Sequence, residues 1–226
     1  MAAWIQFVRP MRFNVPLDAA AEVCGVSHQT AWGWRHGAFA AADGHQGRVV
    51  LKDGAWIGET YIVDADLSHG FGQARKRGLS GQQACIAVAI DAHKNPVAVV
   101  CGHGKPPSRR IREGLEPHIA EGPAIVGDRE RAHNALVKAI KGAHEAYKAD
   151  ASDPVHLERV AMANDLCSWI KRYLWRFTGM ETKYLRSYLN WYVYLSRVKQ
   201  ANERWPETAR VVRHLMLADA RFRSST

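Results

Sequence analysis

Only four cysteines occur in the 226 residues, Cys24, Cys85, Cys101 and Cys167, and no two stand close enough to make a CxxC pair. Structural zinc sites are built from closely spaced ligand pairs, so no zinc is predicted. Long apolar runs are also missing, and nothing approaches the ~20 residues that span a bilayer. The opening MAAWIQFVRPMRF has no charged leader followed by an apolar core, so it does not read as a secretory signal. These absences predict a soluble, cytoplasmic chain with reduced thiols and no membrane contact. There is no internal repeat and no low-complexity tract.

What is present fits a folded protein. Hydrophobic residues make up 47% and charged residues 23%, which is globular rather than disordered. The length suits one large domain, or a small module joined to a medium one. Lys and Arg outnumber Asp and Glu by 31 to 22, and a formal charge of +9 points towards a polyanionic partner.

Residues 17–36, LDAAAEVCGVSHQTAWGWRH, carry the first pattern. Ala20, Ala21 and Val23 suit a short packed helix, with Gly25 in the turn after it. Ser27 is a good N-cap for a second helix whose first turn presents His28, Gln29 and Thr30. Ala31, Trp32 and Trp34 supply a packing face, and Arg35 and His36 end the helix with positive charge. This is the layout of a helix-turn-helix, which offers the first turn of its second helix to base edges. An ordinary helical hairpin is the alternative. On the first reading, Ser27, His28, Gln29, Thr30 and Arg35 are the candidate DNA contacts. Residues 37–54, rich in Gly, Ala and Asp, read as a linker, dividing a DNA-binding region at 1–50 from a larger domain at 51–226.

Strand-like runs follow at 55–63, 83–91 and 96–101, with a long basic gap between the first two, SHGFGQARKRGLSGQ, read as a hairpin connection. A helix is expected at about 107–120, with Pro117 able to cut it short. A short strand follows at 124–128. The run 129–148 is helical in pattern, with Ala132, Leu136, Val137 and Ile140 on one face. Two further helices are expected at about 155–176 and 180–200. Three meandering strands followed by helix, strand and helices make an α/β layout with mixed strand directions.

Several residues in this frame suit chemistry. Asp128 ends a short apolar strand, a common place for a functional acid, though it also suits a helix N-cap. Asn164 and Lys171 lie seven residues apart, nearly two helical turns, so they share one face. Such a pair can hold a cation and a phosphate, or be an exposed polar stripe. Gly58, inside AWIGETYI, is the one residue of that strand poorly suited to it.

Taken in order, VSHQTAWGWRH (26–36), WIGETYI (56–62), RGLSGQQACIAVAID (77–91), NPVAVVCGHGKPPSRRI (95–111), NDLCSWIKRYLWRFTGM (164–180) and YLRSYLNWYVYL (184–195) resemble bacterial insertion-sequence transposases of the DDE type, in the insertion-sequence-1595 (ISXO-like) family. The resemblance implies a ribonuclease-H-like mixed sheet with flanking helices, preceded by a small all-α helix-turn-helix module. It implies a catalytic set of two aspartates, an asparagine and a lysine seven positions later, which falls on Asp128, Asn164 and Lys171. The first aspartate falls on Gly58. Two Mg²⁺ (or Mn²⁺) ions are implied, with Asp128 and Asn164 as ligands and Lys171 on a DNA phosphate. Arg172 and Arg176, with Lys183 and Arg186, would extend the positive surface for the backbone.

The implied activity is cleavage and strand transfer at element ends in double-stranded DNA, carried out by a homo-oligomer. The alternative is an inactive DNA-binding relic, because Gly58 has no side chain to ligate with. Glu59 is adjacent but points to the opposite face of the strand, and Asp64 lies about 20 Å along it. Neither replaces the missing carboxylate.

Overall fold

Apolar and β-branched residues dominate three runs that become adjoining strands, β1 (Ala55–Val63), β2 (Gln83–Ile90) and β3 (Pro96–His103). The computed structural model describes residues 2–63, 83–128, 131–147, 154–177, 180–201 and 203–218. β1 pairs antiparallel with β2, and β2 with β3, as a meander. β4 (Ile125–Asp128) then lies parallel to β1, and β5 (His144–Tyr147) parallel to β4. The result is a mixed five-stranded sheet in the order β3-β2-β1-β4-β5. The basic stretch 68–82 and Asp64 lie outside the described residues.

The helices are α1 (Ala2–Arg12), α2 (Leu17–Cys24), α3 (His28–Gln46), α4 (Ser108–Leu115), α5 (Asn134–Ala139), α6 (Pro154–Leu174), α7 (Leu185–Gln200) and α8 (Glu207–Leu217). They cover both faces of the sheet. β2 is buried from Ala84 to Ile90, and its alternate residues serve two cores. Ala84, Ile86, Val88 and Ile90 pack with Leu166 and Ile170 of α6 and with Leu189 and Val193 of α7. Cys85, Ala87 and Ala89 pack with Ile111 and Leu115 of α4 and Leu136 of α5. Among the described residues, no helix is long and apolar enough to cross a membrane.

The first three helices belong to the first of these cores. Phe7, Met11, Phe39 and Ala42 share it with Tyr188 and Trp191. The Phe39 ring centroid stands 4.6 Å from that of Tyr188 and 5.8 Å from that of Trp191. Asn190 donates to Asp43 at 2.9 Å, so α3 is also hydrogen-bonded to α7.

Three expectations change. The stretch 37–54 is not a linker throughout, because α3 runs to Gln46 and buries Ala38, Phe39 and Ala42 on one face. Its alanines favour helix, and the apolar contact with α7 outweighs its glycines. The run 129–148 does not stay helical. Lys141 takes φ 53°, and at Gly142 an added Cβ would meet the Pro123 carbonyl at 2.4 Å. The chain turns there and continues as β5. The helix expected at 107–120 stops at Leu115 and becomes a short 3-10 turn containing Pro117.

Because one core joins the N-terminal helices to α7 and the sheet, unfolding is expected to be a single transition. Trp191→Ala, at a fully buried site, is expected to lower stability by about 3–5 kcal/mol. Urea unfolding followed by far-UV circular dichroism and by tryptophan fluorescence should coincide. A separate early transition of the N-terminal helices would show them to be an independent unit.

Candidate functional site

Position 58 and Asp128 lie on neighbouring parallel strands. Trp56 of β1 pairs with Val126 of β4, and Gly58 and Asp128 each lie two residues further along their strands; Gly58 faces α6, whereas the Asp128 carboxylate approaches His133. A Cβ built on Gly58 would meet the Ala163 Cβ at 3.4 Å and the Cys167 Sγ at 3.9 Å, both on α6. Asn164 follows Ala163, and Lys171 lies two turns further; both are exposed. Burial pushes the Cys167 thiol up to about 12, with the Lys171 charge pulling the other way. A thiol so protonated is a packing group rather than a nucleophile or ligand.

Glu59 faces the other side of the sheet. Its Oε1 lies 2.8 Å from Nε2 of His133, which is 1% exposed, and His133 Nδ1 lies 3.5 Å from Asp128 Oδ1. Burial disfavours the charged imidazole. The Glu59 hydrogen bond and charge, with the Asp128 charge, outweigh that and raise the His133 pKa. Burial first, and then the His133 charge, pull His144 below its usual value. Sequence reasoning did not find this carboxylate–histidine–carboxylate chain, because His133 is linked to Glu59 only through the fold.

These residues do not fit a two-ion site. Position 58 offers no donor, Glu59 is engaged on the opposite face, and Asn164 would supply only a neutral oxygen. Among the described residues, no cluster of three or more His, Cys, Asp or Glu side chains could hold a metal ion. Asp128 and Asn164 remain the two positions implied as metal ligands, without the neighbouring carboxylate a pair of divalent ions requires.

At the other end of the chain, α2 and α3 are joined by a tight turn in which Gly25 takes φ 63°, and its N–H bonds the Ala21 and Glu22 carbonyls. Ser27 caps α3, accepting from the Thr30 N–H at 3.1 Å, and its Oγ also lies 2.9 Å from Thr30 Oγ1. His28 Nδ1 is 2.5 Å from Asp18 Oδ1. Ser27, His28, Gln29 and Thr30 are all exposed. Arg35 is not among them. It is 4% exposed, donates to the Val15 carbonyl at 2.8 Å and stands over the Phe177 ring, so it is a packing residue rather than a surface contact. Arg172 and Arg176 are exposed on α6.

No protein-family model matches the chain, and no curated protein matches it. Among solved structures, it is similar to a pre-cleavage Mos1 transpososome, with 8% identity, 88% of this chain and 74% of that chain covered, and a TM-score of 0.28. It is likewise similar to the Mos1 strand transfer complex, with 9% identity, 91% and 73% covered, and a TM-score of 0.28. Likenesses at that TM-score carry no information about the site.

A raised histidine pKa stabilises the folded state below the unfolded value, and that stabilisation is lost as pH rises through the folded value. Removing the charge with Glu59→Gln is therefore expected to cost about 1.5–3 kcal/mol at pH 6, and less at pH 9. Urea midpoints of the two proteins across that range test it; a pH-independent gap would show His133 to be neutral in the fold.

Proposed function

We propose that this chain is a DNA-binding protein of the DDE insertion-sequence transposase kind, with a ribonuclease-H-like sheet, that has lost DNA cleavage. The observation that carries the reading is Gly58. It lies on the strand next to and parallel with that of Asp128 and faces α6, and in this reading a second carboxylate at that position would complete a cation site. The motif resemblance supports the family, and the charge of +9 supports a polyanionic partner.

In this reading the region 1–50 reads element ends in duplex DNA. His28, Gln29 and Thr30 of α3 face base edges, and Ser27 holds the first turn in place. Asn164 and Lys171, exposed on α6, hold a DNA phosphate next to Asp128, and Arg172 and Arg176 contact the backbone. The protein acts as a homo-oligomer, because two element ends must be brought together.

The second reading is an active transposase, favoured by the retention of Asp128, Asn164 and Lys171 in order. It needs two Mg²⁺ or Mn²⁺ ions held without a side chain at 58, and the donor set does not supply that. A cleavage assay on the element's own ends with Mg²⁺ separates the two. Gly58→Asp is expected to cut at least about 100-fold faster than the chain as it stands, while duplex affinity is equal in both. Cutting by the unaltered chain at the rate of Gly58→Asp would overturn the loss of cleavage.

A further inference from the structure

A cavity of about 810 Å³ lies beside α6, walled also by α1, α7 and the turn between β2 and β3. The α6 residues that line it, Leu166, Trp169, Arg172, Tyr173 and Arg176, form a different stripe from Ala163 and Cys167, which meet Gly58. Arg12, Lys94, Arg172, Arg176 and Lys199 bring five cations to its walls. Its one lining carboxylate, Glu207, is bonded to Arg12. Among the described residues, Lys94, Arg172 and Lys199 have no carboxylate partner. Trp169 is 40% exposed at the same wall, an unusual position for an indole.

The groove is held in shape by its own contacts. Gln200 at the end of α7 bonds the Lys94 carbonyl, which fixes the turn that carries this lysine. Arg176 reaches the Phe13 carbonyl at 3.4 Å, just beyond α1. The Tyr173 hydroxyl is already used, donating to the Tyr188 carbonyl at 2.9 Å, so the floor presents ring rather than hydroxyl.

We propose that this groove binds a single strand of nucleic acid, with successive phosphates on Lys94, Arg172 and Lys199 and a base stacked on Trp169. The proposal rests on the DNA-binding reading above and adds where an unpaired strand would run. Cations spread over three elements suit a repeating anion better than one isolated phosphate. A positive groove with an exposed aromatic is how sequence-tolerant single-strand sites are built. The cavity is of the size that encloses a drug-sized ligand.

The test is fluorescence anisotropy with a short labelled oligothymidylate and a mixed-sequence duplex, over a salt series, on the full chain. Lys94→Gln with Lys199→Gln, two groove cations given no duplex contact above, is expected to weaken single-strand binding and to flatten the slope of log affinity against log salt by about 0.7 for each cation removed. Trp169→Ala is expected to weaken it at least about fivefold, with Trp169→Phe restoring most of the loss. Lys138→Gln, an exposed cation on α5 outside the groove, should leave single-strand affinity unchanged, and circular dichroism confirms that each variant is folded. Equal losses on duplex and single strand would overturn the proposal, making the groove a duplex backbone contact. Unchanged affinities in every groove variant, with DNA still bound, would overturn it while leaving the DNA-binding reading intact. A chain that binds neither DNA would overturn both.

Discussion

Strand β2 is squeezed from both sides, and the placement of the other elements follows from that. All seven residues from Ala84 to Ile90 are buried, so the sheet cannot turn one face to water. Helices must cover both faces, and the side chains beneath them decide how closely they sit. On one face Ala163 of α6 lies directly over Gly58, two minimal side chains that let helix and strand approach closely. Val160, Leu166 and Ile170 then seat α6 across the sheet. Asn164 and Lys171 owe their exposure to this seating, since they occupy the stripe left over once the apolar stripe is committed.

The same two-sided burial separates the charges. Along β1, Gly58 turns to the α6 face and Glu59 to the face of α4 and α5. Glu59 cannot serve the α6 face without a register slip that would take Ile57 out of its own core and carry a charge under α6. Glu59 is held besides by His133, a buried ring whose pKa, against the effect of burial, is raised by the two carboxylates it approaches. The negative charge closest in sequence to the vacant position is thus committed to holding β1 to the chain that follows β4.

The strands and the last long helices were legible because their signals are local. Val97, Ala98 and Val99 read as strand whatever surrounds them, and the pattern of α6 and α7 extends over several turns. Pro117 marked the end of α4 for the same reason. The elements missed depend on distant partners. Trp4, Phe7, Val8 and Met11 have helical spacing, a signal present in the sequence but passed over. The extension of α3 to Gln46 shows only once Phe39 has Trp191 to pack against. β5 needs the edge of β4, since HEAY alone has neither alternation nor apolar weight. In the site, the shared exposure of Asn164 and Lys171 was legible from their helical spacing. The burial of Arg35 was not, because the local pattern ends the helix there although it in fact runs on to Gln46, and an arginine looks the same in sequence whether it meets solvent or Phe177.

The space around Gly58 has an evolutionary consequence. A Cβ there would make only ordinary contacts, 3.4 Å to Ala163 and 3.9 Å to Cys167 and to Val88. Nothing in the packing has closed over the position. Two of the four glycine codons stand one base from aspartate and the other two one base from glutamate, so a single point mutation can place an acid at position 58. A lineage carrying this glycine can therefore try an acidic side chain against α6 in one mutational step, with room already present for its first carbon.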